Sequence, residues 1–146
     1  MYDPRSNIIN LFSNNMVSAS DGYTNHYVEL YIRERNPDGD INYNSAGALI
    51  MDFPVSSSEE VSIGGHKHET EMIIPALLWI RKKKNMKNPD VFIKNVINTI
   101  QTTIRTNRLS LVTNGDVEPF FNINPRPSQS QDVYEYVINI KATKIE

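Results

Sequence analysis

The sequence contains no cysteine. That excludes disulfides, thiolate chemistry and cysteine-ligated zinc. It also lacks a long hydrophobic run. The longest, Met72 to Ile80, is nine residues and is interrupted by Pro75, too short for a helix that crosses a bilayer. There is little excess charge: the net value is -2, which gives no global attraction to nucleic acid or to an anionic membrane. The opening "MYDPRSNIINLF" has no basic segment followed by an apolar run, so it does not read as a signal peptide. The expectation is a soluble protein, made in a reducing compartment or used where redox state is irrelevant.

Apolar residues are also scarce, at 39% of 146. A chain of this length reads as one domain, residues 1–146, with enough residues for a core but little margin. The low apolar share and the Asn-rich connecting segments suggest that some apolar surface is covered by another subunit.

The pattern of the remaining residues gives α+β, a mostly antiparallel sheet with one long amphipathic helix packed on it. Residues 4–17 read as a short N-terminal helix, with Pro4 in its first turn and Ile8, Ile9, Leu11 and Phe12 as an apolar patch. Ser18 to Thr24 reads as a turn-rich break. "HYVELYIRER", 26–35, alternates, with Val28, Leu30 and Ile32 on one face. "NPDGD", 36–40, is a turn. "SAGALIMDFP", 45–54, is a short strand stopped by Pro54, and "VSSSEE" after it reads as a loop. An extended segment over 66–82 puts Met72, Ile74, Ala76, Leu78 and Ile80 on one face. Pro75 marks it as an edge strand or a bulge.

The helix is expected over 89–107. Asn88 suits an N-cap, Pro89 the first helical position, and Asp90 the positive helix end. Ile93, Ile97, Ile100 and Ile104 recur at helical spacing. Leu109 to Val112 then starts a strand and "TNGD", 113–116, turns it. "PFFNINPRPSQSQD", 119–132, reads as a long irregular loop, and "VYEYVINIKAT", 133–143, as a final strand with Tyr134, Tyr136, Ile138 and Ile140 on one face.

Candidate chemistry is thin. In "GGHKHETE", 64–71, His66 and His68 could share a strand face and bind a transition metal with Glu69 or Glu71. A regular strand turns the two glutamates the other way, His26 is distant, and two ligands fall short of the three or four a metal needs. Gly64-Gly65 lacks the Lys-Ser/Thr and the helix of a phosphate loop. Ser56 to Ser58 stand beside Glu59 and Glu60 with no histidine nearby, so no triad is legible. Asp38 and Asp40 belong to a turn. We therefore expect no enzyme activity and no cofactor.

"RKKKNMK" is the strongest local signal. Arg81, Lys82, Lys83, Lys84, Lys87 and Lys94 place six of the fifteen cations within fourteen residues, opposed only by Asp90. This is either a phosphate-contacting surface or the solvated end of a strand, where lysines blunt edge pairing. No aromatic follows Trp79 to stack bases, and Trp79 itself is expected partly in the core. No helix-turn-helix is visible.

Over nearly its whole length the chain resembles the tail terminator, or tail completion, proteins of long-tailed bacteriophages. The matching pieces are "NIINLF", "ALIMDFP", "HETEMIIPALLWIRK", "NPDVFIKNVINTIQTTIRTNR" and "DVYEYVINIKATKI". A neighbouring head–tail connection protein is close by. The resemblance implies a homo-oligomeric ring, a hexamer in that family, which caps the tail tube, joins it to a neck or connector protein, and lets DNA pass through its lumen. It implies a virion protein assembled in the host cytoplasm, without a membrane partner. Contact surfaces are then expected at Arg81, Lys82, Lys83, Lys84 and Lys87, facing either DNA or a neighbouring subunit, and in loops bearing Ser56, Glu59, Glu60, Arg126 and Gln129. The alternative is a small, non-enzymatic nucleic-acid-binding accessory protein that uses the basic segment 81–87.

Overall fold

The computed structural model describes residues 4–32, 44–60, 68–111, 115–126 and 133–145. They form a seven-stranded sheet with helices on one face. In chain order the elements are α1 (Arg5–Ile9), β1 (Met16–Ser20), β2 (Asn25–Ile32), β3 (Gly47–Met51), β4 (Val55–Glu60), β5 (His68–Arg81), α2 (Pro89–Thr106), β6 (Gly115–Arg126) and β7 (Val133–Ile145). The strand order is β1-β2-β3-β5-β7-β6, and β4 also pairs with β5. Every pair is antiparallel except β2 with β3. The expected α+β class therefore holds.

The long helix follows from its sequence. Phe92, Ile93, Val96, Ile97, Ile100 and Ile104 are buried. Burying each contributes about 1.5–3 kcal/mol. The β-branched residues of α2 cost at most about 0.7 kcal/mol each in helix propensity, so packing decides. Asn88 takes the N-cap position without a side-chain capping bond, and Pro89 and Asp90 occupy the first turn. The helix touches both β1 and β6, the two edges of the sheet. The sheet therefore curls around it. α1 adds Ile8 and Ile9 to the same core.

β5 is the axis of the sheet. Met72, Ile74, Ala76, Leu78 and Ile80 are all buried under the helices, as the alternation requires. β7 supplies Ile138 and Ile140, with Tyr134 and Tyr136 packed against the same core.

Several expectations are corrected. The N-terminal helix ends at Ile9 instead of running to residue 17. A 3-10 turn follows, and Asn14 and Asn15 take left-handed backbone angles (φ 58 and 55), which asparagine tolerates better than most residues. The chain then enters β1, where Val17 and Ala19 face the core.

"VSSSEE" is a strand. β3 and β4 run in one lane beside β5, broken only at residues 52–54. Pro75 accordingly lies in a central strand. Its carbonyl accepts the N–H of Asp52 at 2.8 Å. In a regular strand its nitrogen faces the same side, into the break between β3 and β4, where the missing N–H costs no ladder bond. Leu109 lies in a turn, closed by the Ser110 N–H on the Asn107 carbonyl (3.0 Å). The next strand starts at Gly115. Most of the expected 119–132 loop is β6, which follows β7 with a register shift between Phe120 and Asn124. The turn at 36–40 lies outside the described residues.

Gly47 is fixed by contact. Its φ is +153, and a Cβ there would overlap the carbonyl oxygen of Trp79 on the paired strand. Gly47→Ala is expected to cost about 3 kcal/mol through overpacking and backbone strain, read as a lowered denaturant midpoint with an unchanged slope.

Candidate functional site

Two surfaces carry features that the fold itself does not use. The first is the basic segment at the end of β5. Arg81 is half-buried and tied to the neighbouring segment: its backbone N–H donates to the Ala46 carbonyl (2.8 Å) and its guanidinium to the Ser45 carbonyl (2.7 Å), while the charge lies 5.8 Å from the Trp79 ring centre. Met86 is buried in the core, and its N–H closes a turn onto the Lys83 carbonyl (3.0 Å). Lys83 is half-buried, and burial, followed by the neighbouring Arg81 charge, lowers its pKa. Lys82, Lys84 and Lys87 are exposed. The expected five-cation surface is thus three exposed lysines on a loop whose remaining residues hold it in place.

The second anchor of this loop is Asp21, which sequence reasoning missed. It is fully buried in the turn between β1 and β2. Oδ1 accepts the N–H groups of Tyr23 (2.8 Å) and Thr24 (2.7 Å). Oδ2 accepts the N–H of Lys87 (2.9 Å) and lies 3.1 Å from His26 Nε2. The His26 ring meets Phe92 of α2 edge-on at 5.5 Å, and Asn95 of α2 donates to the Ser20 carbonyl at 2.9 Å. One carboxylate therefore joins the β1–β2 turn, the lysine loop and, through His26, the start of the helix. The Thr24 N–H is the largest influence on its acidity. With the N–H groups of Tyr23 and Lys87 and with His26, it outweighs burial and holds the carboxyl well below the usual carboxylate range. The only sequence signal was "SDGYT", a turn motif that names no distant partner.

Tyr23 is 74% exposed, and Lys87 Nζ lies 5.0 Å from its ring centre. The lysine end of the molecule thus has an aromatic that the sequence reading assigned to nothing.

The second surface is the outer face of the sheet. β5 is apolar on both sides, and Ile73, Pro75, Leu77 and Trp79 point away from the helices. Trp79, expected partly in the core, is half-buried on this outer face, beside Ala48 of β3 and Glu135 of β7. Ile50, Leu77 and Val137 form the next row. Beyond them Val55 and Ile73 are 68 and 40% exposed. Phe53, 65% exposed in the break between β3 and β4, lies beside α1, with the Arg5 guanidinium 5.3 Å from its ring. Among the described residues no element covers this face.

The remaining candidate contact residues separate. Ser56, Glu59 and Glu60 lie on β4, a strand and not a loop, opposite Met72, Glu69 and His68. Arg126 ends β6 opposite Glu135. Gln129 and His66 lie outside the described residues. His68 and Glu69 open β5, in register with Glu60 and Glu59 of β4, and no group of three or more metal-binding side chains occurs among the described residues. No described helix is long and apolar enough to cross a membrane.

No known family model matches the chain, and no curated protein matches its sequence.

A folded-state pKa depressed in this way contributes stability that is complete above the unfolded value and is lost as pH falls toward the folded one. Asp21→Asn should therefore be less stable than the parent at pH 5–7. Its deficit should shrink only as pH drops below about 4, the ordinary aspartate value. Denaturation midpoints of both proteins across that range test this; a deficit that does not change with pH would count against the carboxylate's role.

Proposed function

We propose that this chain is a structural virion protein that forms a ring on the end of a phage tail tube and joins it to the head or neck. In this reading it is a tail terminator or a neighbouring connector. It works by contact and carries out no reaction.

The observation that carries the reading is the uncovered apolar face centred on β5. In an antiparallel sheet with one face open to solvent, strands alternate apolar and polar residues. β5 instead reads like a strand buried on both sides, and its outer residues continue into Val55 and Ile73. A copy of the chain seated against this face would supply the missing cover. The patch alone is weak. Removing the rest of these two side chains from water contributes on the order of 2–3 kcal/mol, short of the association cost of about 4–15 kcal/mol. Contacts of this size hold when each subunit is gripped on two sides, as in a closed ring. The basic loop fits the same picture, since its lysines stand on an anchored turn at one end of the sheet.

Light scattering over a wide concentration range, with negative-stain images of the same sample, is expected to give closed rings of one size, near six subunits. Monomers at every concentration, even with tail tubes added, would overturn the reading.

The exposed Lys82, Lys84 and Lys87 support a second reading, a nucleic-acid-binding accessory protein. Three phosphate contacts give a log–log salt slope near about −2.7 on duplex DNA. Titration of a short duplex between low and moderate salt should show that slope, and lose it in the triple glutamine variant, only if this second reading is correct.

A further inference from the structure

The two ends of the long strands carry opposite charge. At the Arg81 end of β5 stand Lys82, Lys83, Lys84 and Lys87, with Arg126 in register opposite Glu135. At the His68 end, strand register collects Glu59 and Glu60 of β4, Glu69 and Glu71 of β5, and Asp116 and Glu118 of β6. Among the described residues the counter-charges are few. Lys141 and Lys144 of β7 lie among the acids, and Lys141 is bonded to Glu71 at 3.5 Å. Asp90 and Glu135 lie near the lysines. Asp21 is buried, with both its oxygens engaged by N–H groups and His26.

β5 has fourteen residues, so at about 3.3 Å per step the two ends are roughly 43 Å apart. The screening length at physiological salt is about 8 Å. At that separation the two ends do not screen each other, and the surface whose charges match both, among the described residues, is a second copy of this chain.

We infer that neighbouring copies meet head to tail, the lysine loop of one on the acidic strand ends of the next. The inference rests on the ring reading above and names its joint. Such a contact is heterologous, so it propagates around a ring instead of stopping at a pair. It also chooses between the two roles open for the basic run: the lysines face a subunit and not the lumen.

The test uses two charge-reversed chains. One carries Lys82→Glu, Lys84→Glu and Lys87→Glu, so both its ends are acidic. The other carries Glu59→Lys, Glu60→Lys and Glu69→Lys, so both its ends are basic. Circular dichroism and the thermal midpoint establish that each is folded. Each alone should lose the ring, with its assembly midpoint moved at least 100-fold upward in concentration. An equimolar mixture should restore rings in which the two chains alternate. Rings from either variant alone, no rescue on mixing two folded variants, or assembly that stops at a two-fold dimer would overturn the inference. Should either variant fail to fold, the parent ring decides: it should dissociate in 1 M salt, where screening falls to about 3 Å, and a ring that persists there overturns the joint. A parent that forms no ring at any salt removes the ring reading itself. Rings from the parent and from both variants remove only the joint.

Discussion

A strand that is apolar on both faces has to be covered twice, and the rest of this structure depends on that requirement. β5 holds β3 and β4 on one side and β7 on the other, so its backbone is paired along its length. Its inner side chains are closed off by α2 and α1, and the curl of the sheet brings both edge strands within reach of the same helix. On the outer face Ala48 and Ile50 are buried, whereas Ile73 is 40% exposed. Among the described residues the inner face of β5 is closed and part of its outer face is not.

The lysine loop belongs to the same scheme. A run of cations after a strand is ordinarily a solvated end. Here it is held by three separate devices: the Arg81 guanidinium on Ser45, Met86 in the core, and the Lys87 N–H on Asp21. Holding the loop in one shape lowers the entropy lost when its lysines meet a partner. It also fixes where the charge stands relative to the sheet.

The fold was legible where periodicity was strong. The stripe of Ile93, Ile97, Ile100 and Ile104, the inner face of β5 and the faces of β2 and β7 all fall where the spacing puts them. Legibility failed where pairing is decided by a distant neighbour. Ser56 to Ser58 have no local strand signal, and they become a strand because β5 extends past the end of β3. The prolines at 119 and 125 suggested a loop, yet the long β7 offers an edge that tolerates both, with a register shift between them. Pro75 was misread because a proline in a central strand is excluded only when its nitrogen faces a partner, and here it faces a break. At the site, the residue types were visible but their division was not. Arg81 looked like one more exposed cation and proves to be an internal tie. Asp21, which organises the whole corner, is separated in sequence from the loop it holds by four strands, β2 to β5.

The position of β5 between strands made before and after it has a consequence during synthesis. β3 and β4 precede it and can pair with it at once. β7 begins about 50 residues later. At translation rates of about 5–20 residues per second, one edge of the most apolar strand in the chain therefore stays unpaired for roughly 3–10 seconds. Through that interval the nascent chain presents an open apolar strand edge, a template for pairing with other chains. The chain thus passes, on each ribosome, through a stage in which premature association of its copies competes with the arrival of its own last strand.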